Sequence, residues 1–183
     1  MPCRLRIDLD CLMILRASLK AVSPDEGCAL LLGHSSPDPH VRFVWPCCNV
    51  WRPGFGGFSD AISGDGDLAP VVASRRSRFA LDPLEQIAAQ RWSRRRGWQV
   101  LGSAHSHPGG QPVPSALDRQ WAACEGVMLI DAGPSGVRAW WLQGPGKGEP
   151  HKPVSALPMV VESDTTSADT VTSCADGPFL PLR

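Results

Sequence analysis

Residues 105–118 read HSHPGGQPVPSALD, at the junction of a strand predicted over Gln99 to His107 and a helix that Pro114-Ser115 opens. Because alternate residues of a strand point to the same face, His105 and His107 can direct two imidazoles at one point. Asp118, in the first turn of the helix, can return a carboxylate to that point. Two nitrogens and one oxygen leave a fourth tetrahedral position open, which is typical of a catalytic zinc site.

Each part of this stretch also has a simpler interpretation. A His-x-His pair by itself is weak evidence for metal binding, since histidines at that spacing occur in strands without a ligand role. Ser115 and Asp118 have the spacing of a helix capping box, in which the serine accepts from the backbone N–H of residue 118 and the acid favours the positive helix end. A capping role does not exclude a functional role for Ser115, because a capping hydroxyl can still face a cavity.

Outward from this stretch, hydrophobic periodicity predicts alternating strands and helices in an α/β arrangement. Leu9, Leu12, Leu15 and Leu19 recur at helical spacing up to Ser23-Pro24. A second helix begins at Asp82-Pro83, and Leu84, Ile87, Ala88 and Trp92 are expected to form its buried stripe. Before the first helix lies a short segment, Arg4 to Ile7. The remaining predicted strands are Cys28 to Leu32, Val41 to Trp45, Val127 to Ile130 and Val137 to Leu142.

Length and composition indicate one globular domain. The chain has 183 residues, of which 43% are hydrophobic and 20% charged, enough to fill one core. From Gly144 onward the sequence turns to Pro, Gly, Ser, Thr and acidic residues. We therefore expect a domain over residues 1–143 and a flexible or peripheral C-terminal extension over residues 144–183.

Charge and cysteine usage narrow the range of partners and compartments. Lysine plus arginine (18) equals aspartate plus glutamate (18), so the net charge gives no reason to expect nucleic acid as a partner. Seven cysteines without a Cys-x-x-Cys pair predict reduced thiols and no structural zinc cluster. Neither a signal-peptide core nor a run of about 20 apolar residues is present, so the expected location is the cytoplasm and no membrane is expected as a partner.

Two further features have a functional and a structural interpretation. The Gly-, Pro- and Asp-rich stretch from residue 46 to 66 is long enough to be a functional loop or a disordered one. Basic residues flank the second helix, and they can form a patch for an acidic partner or simply a solvated surface, which we favour. These residues are Arg75, Arg76, Arg78, Arg91 and Arg94 to Arg96.

Together with Glu26 in the segment EGCALLLG, residues 105–118 resemble the JAMM (MPN+) metalloprotease family. The motif of that family is a glutamate followed much later by His-x-His-Pro, a spacer and Ser-x-x-Asp, and the ten residues between His107 and the aspartate agree with it. The resemblance extends over Asp8 to Gln143 and includes a Pro-x-x-Asn turn at Pro46 to Asn49. It implies a mixed, curved β-sheet flanked by helices, the single-domain JAMM/MPN fold related to cytidine deaminases.

The resemblance also implies a role for each motif residue. His105, His107 and Asp118 would hold one Zn²⁺, and Glu26 would hydrogen-bond the metal-bound water and act as general base. Ser115 would donate to the oxyanion that forms when water attacks a carbonyl. The implied activity is a zinc-dependent peptidase or isopeptidase that hydrolyses an amide bond at the C-terminus of a ubiquitin-like sulfur-carrier protein ending in Gly-Gly.

Within the family, the sequence is most similar to the compact prokaryotic branch. No Cys/His cluster for a second zinc follows the motif, and Ala29 stands where the family usually has glycine. Three alternatives remain open. The chain can be a noncatalytic MPN-type interaction module, a relative of the RadC-type proteins, which carry a similar motif, or a hydrolase of a small non-protein amide.

Overall fold

In the computed structural model, which describes residues 1–54, 73–121, 125–143 and 154–163, eight strands form one mixed sheet. The elements are β1 (Leu5–Asp8), α1 (Leu9–Ala21), β2 (Cys28–His34), β3 (His40–Cys47), α2 (Pro83–Arg94), β4 (Gln99–Ser106), α3 (Ala116–Trp121), β5 (Gly126–Asp131), β6 (Val137–Leu142), β7 (Val154–Leu157) and β8 (Met159–Glu162). The strand order is β7-β6-β5-β4-β2-β3-β1-β8. The predicted α/β class with a mixed, curved sheet is confirmed.

The main core lies between α1 and one face of the sheet. Leu15 and Leu19 of α1 are buried against alternate residues of the central strands, such as Ala29 and Leu31 of β2. Three of the leucines whose spacing predicts α1 therefore form its packed face, and Leu9 at its start is exposed. At the helix start, Asp10 lies in the first turn, where a negative charge is favoured by the helix dipole.

The other face of the sheet carries α2, and the predicted stripe is wrong except at Trp92. Asp82 caps the helix as expected, its carboxylate accepting from the backbone N–H of Leu84 at 2.8 Å. Leu84, Ile87 and Ala88 are exposed, whereas Ala89 and Ser93 are buried and Trp92 packs partly buried beside them. The small side chains of Ala89 and Ser93 let this face of α2 lie close to β2 and β4.

Strands β4 and β5 run parallel and approach each other closely at glycines. Gly102 has a φ of +156°, and a Cβ at this position would collide with the carbonyl oxygen of Val127 on β5. The pairing of β4 with β2 shifts register opposite this point, between Leu31 and Leu32. This irregularity lies three residues before His105, so it helps to set which way the end of β4 faces.

The segment predicted as a flexible or peripheral extension contributes two strands to the sheet, which corrects that prediction for residues 154–162. Strand β7 pairs antiparallel with β6 and β8 pairs parallel with β1, at opposite edges. Leu157 is buried in the main core. The other residues of that segment, 144–153 and 164–183, lie outside the described ranges, as do residues 55–66 of the predicted loop.

No helix in the part of the chain that the structure describes is long and apolar enough to span a membrane.

Candidate functional site

The site is built where the start of β2 lies beside the end of β4. Cys28 is paired in register with His105. Beyond this pair, the backbone N–H of Gly27 donates to Ser106 Oγ at 2.8 Å, and the N–H of Ser106 donates to the carbonyl of Gly27 at 3.0 Å. Glu26, which immediately precedes Gly27, is thereby held beside the two histidines.

The two imidazoles face each other as the strand periodicity predicts. The Nε2 atoms of His105 and His107 are 2.9 Å apart. Nδ1 of His107 lies 2.9 Å from the carbonyl oxygen of Gln111, a contact that requires the ring proton on Nδ1. In the neutral ring, Nε2 of His107 then carries the lone pair that a metal ligand needs.

Asp118 completes the group from the first turn of α3. Its Oδ1 lies 3.4 Å from Nε2 of His105 and its Oδ2 lies 3.4 Å from Nε2 of His107. The three residues each offer a donor atom, all within 4.8 Å of one another. This donor set of two imidazoles and one carboxylate suits Zn²⁺, so the residues that the sequence singled out as ligands do converge.

Ser115 and Asp118 also form the capping box. The N–H of Ser115 donates to Asp118 Oδ2 at 2.7 Å, and the N–H of Asp118 donates to Ser115 Oγ at 3.1 Å. The capping interpretation is therefore confirmed, and it leaves Oδ1 of Asp118 facing His105. The cap fixes the direction in which the Asp118 carboxylate points.

His105 is fully buried, and an aromatic ring that the sequence analysis missed covers it. Phe79 stacks on the imidazole with ring centroids 4.4 Å apart and planes 21° apart. Nδ1 of His105 has no hydrogen-bond partner among the described residues. Burial lowers the pKa of His105, so the ring stays neutral and able to bind a metal at neutral pH.

The pKa values of Asp118, His107 and Glu26 also depart from their ordinary values. Burial works to raise the pKa of Asp118, but hydrogen bonds with His105 and His107 outweigh it, so this pKa lies far below its ordinary value. Burial also works to lower the pKa of His107, yet its hydrogen bonds with Asp118 and Gln111 leave it raised. For Glu26, burial is the largest cause and raises the pKa to about 7.

Asn49 is a second residue whose function the sequence analysis did not recognise. Its Nδ2 donates to the carbonyls of Glu26 and Arg78, both at 2.9 Å. Its Oδ1 accepts from the N–H groups of Trp51 and Ala80, at 3.0 and 3.1 Å. One side chain thus ties the backbone at Glu26 to the wall of residues 74–81. The Pro-x-x-Asn turn marks its position in the sequence, but not these partners.

A cavity of about 700 Å³ opens at this group of residues. It is lined by residues of the wall 74–81, by residues of β4 and β5, and by four site residues, Glu26, His107, Ser115 and Asp118. The cavity therefore presents carboxylates, imidazole and hydroxyl groups to whatever enters it.

Cys28, close by, is no candidate nucleophile, because burial raises the pKa of its thiol to about 12.

The side chains of Asp8, His40 and Glu162 also bring three donor atoms within 4.8 Å of one another, but both carboxylates already pair with arginines. Arg6 pairs with Glu162 at 2.6 Å and Arg42 pairs with Asp8 at 3.3 Å. Two guanidinium groups balance the two carboxylates, so there is no excess negative charge to attract a cation. This network links β1, β3 and β8 at the edge of the sheet.

The family described as prokaryotic homologs of the JAB domain matches residues 9–143, most of the chain. The chain belongs to this family. The resemblance that the motif indicates is therefore confirmed, and the JAB-domain match covers every residue of the candidate site. It also covers Asn49, Arg78 and Phe79, which the structure adds to that site.

Similar proteins agree with this assignment. Desampylase from Haloferax volcanii is 34% identical over 82 residues, which are 44% of this JAB-family chain and 59% of desampylase. Two solution structures share the fold. A protein from Desulfitobacterium hafniense matches with a TM-score of 0.62 and 24% identity, covering 87% of this chain and 94% of that one. A protein from Salinibacter ruber matches with a TM-score of 0.53 and 21% identity, covering 88% and 93%.

Proposed function

We propose that this JAB-family chain is a zinc-dependent peptidase or isopeptidase that hydrolyses an amide bond at the C-terminus of a ubiquitin-like sulfur-carrier protein. The observation that carries the proposal is the convergence of His105, His107 and Asp118 in a cavity that Glu26 and Ser115 also line. A chain that served only as an interaction module would have no need for this complete set.

The donor chemistry fits zinc. The contact with Gln111 leaves Nε2 of the neutral His107 ring available as a ligand, and the Nε2 atom of His105 faces the same point from a ring kept neutral by burial. Asp118 is ionised and held by the cap of α3. Zinc bound by these three residues would supply a Lewis acid that makes water a nucleophile near neutral pH.

Glu26 is the proposed proton carrier. Its carboxyl is buried, and in the metal-free chain burial raises its pKa to about 7, so the carboxyl is not held permanently ionised and can both accept and release a proton. In the proposed reaction, Glu26 accepts the proton of the attacking water and then delivers it to the nitrogen of the departing amine. The same carboxyl thus acts first as base and then as acid.

Ser115 is proposed to stabilise the developing oxyanion. Its Oγ already accepts a hydrogen bond from Asp118, so its orientation is fixed while its hydroxyl proton remains available to donate. One such donor can lower a barrier by about 3 kcal/mol.

The substrate class rests on the relative and on chain geometry. The name desampylase implies an enzyme that removes a ubiquitin-like protein, and this chain shares part of that sequence. Because glycine has no side chain, the backbone of a Gly-Gly terminus can approach the residues that line the cavity closely. The shared part is 59% of desampylase.

The test is hydrolysis of a Gly-Gly-ending carrier protein that bears a short C-terminal extension, followed by intact-mass analysis. Zinc-loaded wild-type protein should cleave after Gly-Gly, and a chelator should stop the reaction. Glu26→Gln should lower the rate by at least about a hundredfold. Glu85→Gln is the matched control, because it makes the same chemical change at a carboxylate of α2 that does not line the cavity.

Metal content is measured on the same samples. About one zinc per chain in wild type and in Glu26→Gln, with activity only in wild type, supports the proposed roles. Wild-type activity in Glu26→Gln would contradict the role of the glutamate. Bound zinc without any cleavage would contradict the carrier-protein substrate and favour hydrolysis of a different amide.

A further inference from the structure

The cavity continues from the candidate metal ligands to a wall that carries positive charge. Arg76 and Arg78, which the sequence analysis treats as solvated surface, both line it. The acidic side chains that line it are Glu26, Asp118 and Glu125. Asp118 faces the two histidines, and Glu125 accepts from Trp141 Nε1 at 3.1 Å. Glu26 feels the charge of Arg78, which works to lower the pKa of its carboxyl, but the two side chains form no ion pair.

Arg78 is the better placed of the two arginines. Asn49 binds its carbonyl, and the next residue, Phe79, stacks on His105. The N–H of Glu26 donates to the carbonyl of Arg75 at 2.7 Å, which ties the wall to the glutamate from the other side. The backbone of Arg78 is therefore fixed relative to the candidate catalytic group.

The guanidinium of Arg78 has donors to spare. NH1 donates to the carbonyl of Ser77 at 2.7 Å, and within the described ranges no carboxylate lies within ion-pair distance of this side chain. Its residue is only half-exposed. A partly buried guanidinium that lacks an anion gains most from a planar carboxylate, which it can bind through two parallel N–H groups.

We infer that Arg78 binds the free α-carboxylate of the residue that leaves when the amide bond is cut. This inference rests on the proposed function and narrows its substrate. Water oxygen adds to the glycine carbonyl carbon, the C–N bond breaks, and the nitrogen takes a proton. The products are the carrier's new carboxyl terminus and a free amino acid. A lysine side chain within a target protein offers no carboxylate beside the departing nitrogen, so the site favours a C-terminal extension over a protein isopeptide.

Two synthetic peptides that end in Gly-Gly-Ala, one with a free carboxylate and one with a carboxamide, test this inference. Binding to the zinc-loaded Glu26→Gln protein is measured by calorimetry, because this variant should not consume the peptides. We expect the acid to bind at least about tenfold more tightly than the amide. Adding Arg78→Gln should reduce that ratio to about one, and Arg78→Lys should leave an intermediate ratio.

Arg94→Gln is the matched control, since it removes the same charge from an exposed position of α2 outside the cavity and should keep the ratio. Equal affinity for the two peptides, binding of neither, or an unchanged ratio in Arg78→Gln would overturn the inference. Its failure is distinguishable from failure of the proposed function. Equal hydrolysis of acid and amide by wild type would overturn only the role of Arg78, whereas acid-selective binding without hydrolysis would support that role and contradict the proposed peptidase.

Discussion

Asp118 uses its two carboxylate oxygens in different directions, and this makes its replacement informative. Oδ2 accepts from the N–H of Ser115 and faces His107, whereas Oδ1 faces His105. Asparagine keeps one oxygen, so it can cap α3 or act as a ligand, but it cannot supply the negative charge. Asp118→Asn should therefore lower zinc affinity by at least about tenfold.

Zinc competition against a chromogenic chelator measures this effect. Asp10→Asn is the control, because Asp10 occupies the corresponding first turn of α1. Zinc affinity equal to wild type in Asp118→Asn would mean that this carboxylate is not a ligand.

Glu26 gives the metal-free protein a pH-dependent stability. Its pKa is raised from 4.5 to about 7 in the folded state, so between these values the folded chain binds more protons than the unfolded one. The free energy of unfolding therefore falls as pH rises through this window, by about 3 kcal/mol for this group. After chelation, Glu26→Gln should be more stable than wild type at pH 8 by about that amount and similar at pH 5.

Urea unfolding at a series of pH values measures the difference between wild type and Glu26→Gln. Glu85→Gln is unfolded in parallel as the control, because Glu85 does not line the cavity. The lowered pKa of Asp118 acts in the opposite sense and at lower pH, where its stabilisation is lost as the carboxylate is protonated. A constant difference between wild type and Glu26→Gln from pH 5 to pH 8 would refute the proposed cause.

Single residues also mark how far the sequence predicts the site. His105 and His107 follow from strand periodicity and Asp118 from helix spacing, because these relations are local. Asn49, Phe79 and Arg78 act across the fold, and nothing in their neighbouring sequence specifies which groups they contact. The hydrogen bonds of Asn49 become apparent only in the folded chain, where the backbone carbonyls of Glu26 and Arg78 lie next to its side chain.

At the level of elements, the packing of α2 illustrates the same limit. The sequence predicts its capping residue, Asp82, and its first helical residue, Pro83, and the helix begins there. Which face it buries depends on its packing against the sheet. Ala89 and Ser93 are buried there with Trp92 packed beside them, whereas Leu84 is exposed.

The close approach of β4 and β5 yields an element-scale prediction. Alanine at position 102 would place a Cβ against the carbonyl of Val127 and would also strain a backbone at φ +156°. Gly102→Ala should therefore lower the free energy of unfolding by more than about 3 kcal/mol. Because His105 follows on the same strand, zinc affinity should fall as well.

Comparison with Gly97→Ala separates the effect of backbone strain from that of the collision between the Cβ of residue 102 and Val127. Gly97 also has a positive φ, of +67°, but no atom lies within 4 Å of the position its Cβ would take. This change should cost only about 1 kcal/mol and leave zinc affinity intact. Equal losses of stability in the two variants, measured by chemical denaturation, would rule out the collision.

At the scale of the whole molecule, the two edge strands of the sheet come from a segment whose composition does not predict strands. Strands β7 and β8 have four residues each, too few for a clear alternation, and they lie in a region rich in Pro, Gly and acidic residues. In β8, Glu162 pairs with Asp8 near the other end of the chain. Local sequence does not predict such distant pairings, and composition alone therefore favoured a peripheral extension.

The integration of these edge strands into the core can be tested with one buried and one exposed side chain. Leu157 is 4% exposed and packs in the main core, whereas Val161 on β8 is 42% exposed. Leu157→Ala should therefore lower the free energy of unfolding by about 2–5 kcal/mol, and Val161→Ala by less than about 1 kcal/mol. Urea denaturation gives both values. If Leu157→Ala cost no more than Val161→Ala, the segment would be peripheral as its composition suggests, and the eight-stranded sheet would not be the cooperative unit that supports the site.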